Sequence, residues 1–409
     1  MEQTQKAALP TTLRQKNYLT VLNIFRKNEA LSANDVSART GISRATVMKA
    51  IASFIEKGLL ESAGKGPSTD IGGKKPELFK FCMQRYLLCV GLWRDEMVAS
   101  LYDLTNTLLA QERVPYNMQE EVTQFLDMLE IAADHLFAKV KNGKELLYGV
   151  SLFVGGILDN ETGVLKYSVL TPDWGYNVPL KELLKQRFPE KEIVIDNVAR
   201  MAACAAVLDD PVYEKKRVAV IYTDVGASAC YIDQGHVQHG PHSLIGEIGP
   251  MIVALTDTKP YTTGQESFFS TKISEETICR KVLEQPEKLK KSILGKCRGK
   301  MTLKQIFLAA EQEDGFAKQI VREAAWTFSA LLHNVMLNFD PEIVIIQGDY
   351  AYAGEWFNQC IKEGMACFPG SMSAVPFELV YDRRPLISLQ MMGATKILMQ
   401  KFFTSKEWL

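Results

Sequence analysis

The sequence predicts an α/β protein that carries a small, mainly helical domain at its N-terminal end. Two observations favour this fold class. Between residues 86 and 403, short apolar segments of strand length alternate with longer segments of helical periodicity. Ahead of them, two short helical segments flank Gly41, and a segment rich in glycine and lysine follows.

The N-terminal segment is typical of a helix-turn-helix. Residues 32–40 predict a first helix, Gly41 predicts the turn, and residues 43–57 predict a second helix. Ser32 and Ser43 are suitable N-caps, because their hydroxyls accept hydrogen bonds from the free amides of the first turn. Glycine permits the positive φ that a short turn between two crossing helices requires.

The second helix has one apolar face and one polar face. Its apolar side chains follow the spacing of a single buried stripe and are Val47, Ala50, Ile51 and Phe54. The N-terminal half of the opposite face is the part that enters the major groove in helix-turn-helix proteins. Residues 72–76, with two glycines and two lysines, predict a wing that reaches the DNA backbone. The predicted DNA contacts are Ser43, Arg44, Thr46, Lys49, Lys74 and Lys75. The alternative is a solvated helical subdomain with ordinary surface lysines.

Charge is distributed unevenly along the chain. Residues 1–80 contain 13 Lys and Arg against 7 Asp and Glu, whereas the whole chain has a net charge of −1. The first segment is therefore at +6 and the remainder at −7. This asymmetry is expected when a DNA-binding module is joined to an effector domain. We assign residues 1–82 to a winged helix-turn-helix domain that binds double-stranded DNA.

Composition places the chain among ordinary globular proteins. It has 409 residues, of which 47% are hydrophobic and 23% are charged, enough for two or three domains. No segment approaches the ~20 apolar residues of a membrane span, and the first residues lack the apolar core of a signal peptide. The eight cysteines form no CxxC pair or zinc-like cluster, which indicates reduced thiols. We expect a cytoplasmic protein that does not contact membranes.

The remaining chain predicts two α/β blocks. Strands are predicted at residues 86–92, 97–102, 147–154, 192–196, 217–223 and 343–347. Helices are predicted at residues 120–140, 180–188, 199–208, 302–312, 314–338 and 392–403. Two blocks that flank a cleft indicate two lobes with a ligand between them. The smaller lobe would comprise residues 83–196 and 388–409. The larger would comprise residues 197–387, with the effector cleft and the oligomer contacts.

Five segments carry a resemblance to a known family by their order and spacing: residues 72–80, 156–163, 173–180, 246–251 and 339–346. The chain is similar there to the ROK family of repressors, uncharacterised proteins and sugar kinases, and more narrowly to its DNA-binding branch. The resemblance begins near residue 13 and extends to the C-terminus. It implies an actin-like, ribonuclease-H-like duplicated α/β core. It also implies a homodimer or homotetramer that regulates carbohydrate genes.

The chain departs from the family's kinases at each position that serves ATP. The glycine-rich first phosphate turn is replaced by Gly91, Trp93, Arg94 and Asp95, and the second loop, residues 223–229, retains a single glycine. The late glycine pair is Gly348 followed by Asp349. The catalytic base is an Asp in the kinases, and Val198 occupies its position and cannot accept a proton. We therefore expect no enzyme activity, no catalytic residue and no cofactor.

The family's structural zinc site is also absent from the sequence. Many members bind zinc through one His and three Cys. Pro250 stands at the His position, and residues 260–266 contain no cysteine. We expect no metal.

The family's sugar site is preserved only in part. The matching polar and glycine positions are Gly156, Asn197, Glu247 and Glu266, which we assign to effector binding. Val198 and Pro250 remove two of the family's hydrogen-bonding side chains. Two alternatives stay open at this point. Glu247 could be a structural carboxylate that accepts local amides, and Asn197 could only cap the helix that follows it.

The residues together predict a repressor of carbohydrate-utilisation genes with a degenerate sugar-binding cleft. One alternative is a regulator without a small-molecule effector, controlled by a protein partner. The other is a divergent sugar kinase, which intact ATP loops and an Asp at position 198 would have favoured.

Overall fold

The computed structural model describes residues 10–26, 30–67, 75–93, 95–208, 210–253, 267–368 and 377–404. It contains an N-terminal domain with three helices and two lobes that are each built on a five-stranded sheet. The α/β class and the N-terminal helix-turn-helix predicted from the sequence are both observed.

The N-terminal domain combines three helices with a small antiparallel sheet of strand order β1-β3-β2. Its elements are α1 Pro10–Arg26, β1 Leu31–Ser32, α2 Ala33–Thr40, α3 Arg44–Glu56, β2 Leu60–Lys65 and β3 Glu77–Phe81. Helix α1 adds to the predicted elements and supplies part of the core. Its Tyr18 packs edge-on against Phe54 of α3, with ring centroids 5.6 Å apart.

Capping interactions fix the turn between α2 and α3. The Ser32 hydroxyl accepts a hydrogen bond from the Asp35 amide, and the Asp35 carboxylate accepts one from the Ser32 amide at 2.8 Å. The Ser32 hydroxyl also donates to the Asp35 carboxylate at 2.7 Å, and together with the amide of Ser32 it holds the pKa of Asp35 below its usual value. Helix α2 ends at Gly41, whose φ is 69°, and Ser43 caps α3. The two predicted helices and both N-caps are confirmed.

The first lobe has a mixed sheet of strand order β6-β5-β4-β7-β10. The strands are β4 Tyr86–Trp93, β5 Glu96–Asp103, β6 Leu108–Pro115, β7 Leu147–Val154 and β10 Glu192–Asn197. The connections contain α4 Val122–Phe137, α5 Gly143–Leu146, the hairpin of β8 Ile157–Asp159 and β9 Val164–Tyr167, and α6 Leu180–Arg187. Helices α4 and α6 cover one face of this sheet.

The second lobe has a sheet of strand order β13-β12-β11-β14-β15. The strands are β11 Arg217–Thr223, β12 Ala227–Asp233, β13 His236–Val237, β14 Ile343–Gly348 and β15 Glu378–Asp382. The helices are α7 Val198–Val207, α8 Phe269–Ile273, α9 Glu275–Leu283, α10 Pro286–Lys291, α11 Leu303–Glu311, α12 Gly315–Phe339, α13 Glu355–Ala366 and α14 Leu386–Thr404. The last of these, α14, returns to the first lobe and covers the second face of its sheet.

The two sheets have the same topology. In the first lobe, β4 pairs antiparallel with β5 and parallel with β7. In the second, β11 pairs antiparallel with β12 and parallel with β14. The third and fifth strands of each lobe then occupy the two edges. This repeat of strand order and direction confirms the duplicated core that the resemblance implied.

Helices α7 and α14 join the two lobes. Helix α7 packs Ala203 and Val207 onto the second sheet, and α14 packs Leu398 onto the first. The helices approach each other so closely that a β-carbon at Gly393 would lie 1.8 Å from the Met201 carbonyl oxygen. The predicted division into residues 1–82, residues 83–196 with 388–409, and residues 197–387 stays a prediction.

Burial keeps most of the thiols of the chain away from solvent. All eight cysteines are free, and five of them are buried. Burial raises the pKa of Cys89 and of Cys204 above the usual range, so both thiols stay protonated.

None of the described helices is both long and apolar enough to cross a bilayer.

We expect Gly393→Ala to lower the free energy of unfolding by about 3 kcal/mol, because the added methyl group would meet backbone rather than a flexible side chain. Thermal and urea unfolding followed by circular dichroism measures this. Gly315→Ala is the matched control, since a β-carbon at this first residue of α12 has no neighbour within 4 Å. Equal unfolding midpoints for the two variants would contradict the predicted contact.

Candidate functional site

The exposed face of α3 presents the predicted DNA contacts to solvent. Ser43, Arg44 and Lys49 are exposed, and Thr46 is half-buried. The Ser43 hydroxyl accepts a hydrogen bond from the Thr46 amide at 3.3 Å and lies 2.9 Å from the Thr46 hydroxyl oxygen. Arg44 and Lys49 therefore present positive charge to solvent from the N-terminal half of α3, while Ser43 and Thr46 hold the first turn of that helix.

Met48 lies on the same surface and was not among the predicted contacts. Its side chain is 40% exposed, whereas Val47, Ala50, Ile51 and Phe54 of the same helix are buried. Ala45, one turn earlier, is exposed as well. Apolar side chains in the major groove contact thymine methyl groups. The signal in the sequence is that both residues fall outside the buried stripe of α3.

The wing is formed by β2 and β3, which pair antiparallel. The Gly66 amide donates to the Pro76 carbonyl oxygen at 2.8 Å and extends the ladder toward the tip. Lys75 is exposed beside this contact. Lys74 and the remainder of the tip, residues 68–74, lie outside the described residues. The position of Lys74 against DNA therefore stays a prediction.

Asn197 stands where the first sheet passes into α7. Its side-chain oxygen accepts a hydrogen bond from the Ala199 amide at 2.8 Å, which caps α7. Its side-chain nitrogen donates to the Gly156 carbonyl oxygen at 2.7 Å. Asn197 thus ties the cap of α7 to the turn before β8, and one hydrogen of its amide nitrogen remains for a ligand. Gly156 has a φ of 131° in that turn.

A buried ion pair supports this region and was not predicted from the sequence. Arg200 Nε donates to the Asp196 carboxylate, and the Arg200 guanidinium also donates to the Leu158 carbonyl oxygen at 3.2 Å. Both charged side chains are almost fully buried. Since Asp196 is the penultimate residue of β10 and Arg200 lies in the first turn of α7, the ion pair links the strand to the helix. The signal for this ion pair in the sequence was that Asp196 and Arg200 are four residues apart across a predicted strand–helix junction.

Glu247 lies half-buried in the loop after β13, near Arg200. Burial raises the pKa of Glu247, and the Arg200 charge opposes this shift. Glu247 and Asn197 therefore both lie near the ion pair of Asp196 and Arg200. Glu266, the fourth predicted effector contact, lies outside the described residues, and its role stays a prediction.

One cavity lies between the lobes, and a second, larger cavity beside it extends along the second lobe. The smaller has a volume of about 70 Å³ and is lined by Trp93, Val198 and Tyr222, among others. The larger, of about 1180 Å³, lies against α9 and includes Asp349. Leu170, Asp224 and Val225 line both cavities, so the two are contiguous.

The residues of the cleft do not fit ATP chemistry. The indole of Trp93 occupies the first phosphate turn and Val198 the position of the base, and both line the smaller cavity. The charged side chain among the lining residues of that cavity is Asp224, which repels phosphate. Among its described lining residues, the smaller cavity offers neither a cation nor a run of glycine amides to a triphosphate. Arg94, which follows Trp93, lies outside the described residues.

The described residues also do not fit a structural zinc site. Within them, no group of three His, Cys, Asp or Glu side chains is placed to hold a metal ion. Pro250 is exposed and supplies no ligand atom from its side chain.

Comparison with known proteins connects these features. The model of the ROK family matches residues 87–377, and that of the MarR family matches residues 12–66. A xylose repressor from Caldicellulosiruptor bescii is 22% identical over 86% of this chain and 88% of its own length. A glucokinase from Halalkalibacterium halodurans is 25% identical over 61% of this chain and 76% of its own length.

Solved structures support the same fold. One described as a ROK family transcriptional regulator, a homolog of the E. coli MLC protein, superimposes with a TM-score of 0.75 at 17% identity. The superposition covers 97% of this chain and 99% of that one, so it includes the N-terminal domain. The family model matches more than half of the chain, and this chain belongs to the ROK family.

Proposed function

We propose that the chain is a DNA-binding transcriptional repressor of carbohydrate genes that responds to a sugar or a sugar derivative. The observation that carries this proposal is a winged helix-turn-helix, with an exposed basic recognition helix, packed onto a duplicated ROK core. The similarity to a xylose repressor over most of both chains supports it. A regulator of this kind acts on DNA in the cytoplasm.

Recognition of a palindromic operator requires two copies of α3. Helix-turn-helix proteins place two recognition helices about one turn of DNA apart, and the symmetry of the operator follows the symmetry of the dimer. We therefore include a homodimer or a homotetramer in the proposal. A sugar in the cleft would act by favouring one spacing of the two N-terminal domains over another.

The proposal also states that the chain is not a sugar kinase. ROK proteins include glucokinases, so this point depends on the cleft. Val198 cannot take a proton from a sugar hydroxyl, and the phosphate positions hold Trp93 and Asp349.

Kinase activity is tested with ATP, a panel of hexoses and pentoses, and a coupled assay for ADP. We expect no turnover above background for the native chain. We expect none for Val198→Asp either, because a restored base does not restore the two phosphate loops. ADP release that depends on the sugar and exceeds background in the native chain would overturn the non-enzymatic assignment.

DNA binding is tested on an operator selected by the full chain from random-sequence DNA. We expect Arg44→Ala and Lys49→Ala each to weaken binding by about 1–3 kcal/mol if the side chain reaches a base edge. Lys362→Ala is the matched control, since it removes an exposed charge from α13, in the second lobe. Unchanged affinity for both α3 variants in an electrophoretic shift assay would refute α3 as the recognition helix.

The effector cleft is tested through Glu247. A thermal-shift screen of sugars and sugar phosphates first identifies a ligand, and calorimetry then measures its affinity. We expect Glu247→Gln to weaken that ligand by about 1.5–3 kcal/mol, the range for a hydrogen bond to a charged group. Burial raises the pKa of Glu247, so affinity should fall as the pH is lowered toward that pKa, because protonation removes the ionised acceptor.

The Glu247→Gln variant should lack this loss of affinity at low pH and should keep the DNA affinity of the ligand-free protein. An altered DNA affinity or stability with unchanged ligand affinity would show that the carboxylate is structural. Absence of any stabilising sugar would favour a regulator controlled by a protein partner.

A further inference from the structure

The smaller cavity between the lobes is lined mainly by apolar side chains. They come from both lobes and from the loop before α6, and they include Leu92, Trp93, Met118, Leu170 and Val198. Its volume of about 70 Å³ is room for roughly five water molecules or one small organic group. An apolar lining of this kind binds hydrocarbon or aromatic groups better than it binds water.

Two buried side-chain atoms, each on a residue that lines this cavity, have no hydrogen-bond partner among the described residues. They are Oγ1 of Thr171 and Oε1 of Gln390. Thr171 is 2% exposed and Gln390 is fully buried, and both line the cavity. A buried polar atom without a partner costs about 1–3 kcal/mol, so such atoms are uncommon unless a ligand or water completes them.

The amide of Gln390 is held in a fixed orientation. Its Nε2 donates to the Tyr222 hydroxyl at 2.9 Å, which leaves Oε1 as the atom without a partner. A carbonyl oxygen only accepts hydrogen bonds, so an occupant that satisfies it must donate an O–H or N–H. The Thr171 hydroxyl can either accept or donate.

The cavity lies next to the predicted sugar contacts. Gly155 and Val198 line it, and their neighbours Gly156 and Asn197 are joined by the hydrogen bond described above. It also shares Leu170, Asp224 and Val225 with the larger, open cavity, which gives it a route to solvent. No Lys, Arg or His is among the described lining residues of this cavity, so a phosphate would meet no cation there.

We propose that the smaller cavity binds a small apolar group that carries a hydrogen-bond donor, as part of the effector. This inference rests on the proposed function. It implies that the effector is a sugar derivative with an apolar substituent, such as an alkyl or aryl glycoside, rather than a free hexose or a sugar phosphate. The substituent packs against Trp93 and Met118, while a hydroxyl or amide N–H of the ligand donates to Gln390 and contacts Thr171.

The cavity is tested in the full chain with para-fluorophenol, which combines a phenyl ring with one O–H donor, and fluorine NMR reports its binding. We expect saturable binding. Thr171→Val keeps the shape of the side chain and removes the unpartnered hydroxyl, so it should weaken binding about fivefold to tenfold. Para-fluorotoluene, which lacks the donor, should bind more weakly than the phenol by a similar factor.

Ser151→Ala is the matched control. The Ser151 hydroxyl on β7 is also buried without a described partner, but it does not line the cavity. We expect this variant to bind the phenol as the native chain does. Thermal unfolding of all variants separates loss of binding from loss of folding.

Three results would overturn the proposal: no saturable binding of the phenol, equal binding by the native chain and Thr171→Val, or equal binding of the phenol and the toluene. A higher melting temperature of Thr171→Val without any fluorine response would identify a cavity that holds only water. If any of these results were obtained while free sugars still released the protein from DNA, the proposal for the cavity would be refuted and the proposed function would remain. Binding of the phenol by a chain that does not bind DNA would instead refute the proposed function and retain the cavity.

Discussion

The close crossing of α7 and α14 is the contact on which the arrangement of the three parts depends. Helix α7 contributes one face to the second sheet, and α14 covers the first sheet, so the lobes are held by the line where these helices meet. The Gly393 position lies directly against the backbone of Met201, which allows no side chain between the helices. Lys396 adds hydrogen bonds from α14 to the carbonyl oxygens at the end of α7.

The same scaffold accommodates a change of chemistry without a change of fold. The sheets, their order and the two linking helices do not require glycine-rich phosphate loops. Trp93 stands in the first phosphate turn of the kinases and Val198 at the position of their catalytic base. These two residues give an apolar surface where the kinases have a polar, anion-binding one, at the same place between the lobes. The ion pair of Asp196 and Arg200 keeps the strand–helix junction rigid whether or not a substrate is turned over.

The sequence predicted those features that are determined by residues close together in the chain. The helix-turn-helix, its caps and the buried strands β4, β7, β11 and β14 follow from local periodicity and from single residues such as Gly41. Strand β12 is also buried inside its sheet but was not predicted. Strand β6 was missed because it is an edge strand whose side chains are mostly exposed, so it has no apolar pattern. The cavity lined by Trp93, Thr171 and Gln390 could not be predicted, because these residues are distant in sequence and meet only through the packing of α14.

Helix α14 also gives the molecule a mechanical property. With 19 residues it is about 28 Å long, with Gln390 near one end and Phe403 near the other. Phe403 lies against the N-terminal domain, where its ring is 5.0 Å from the Arg26 guanidinium and 6.2 Å from the Phe81 ring. A tilt of roughly 5° about the Gln390 end would therefore displace Phe403 by about 2 Å. A displacement of this size is more than half the rise of one base pair of DNA, so a small tilt of α14 would be large on the scale of base contacts.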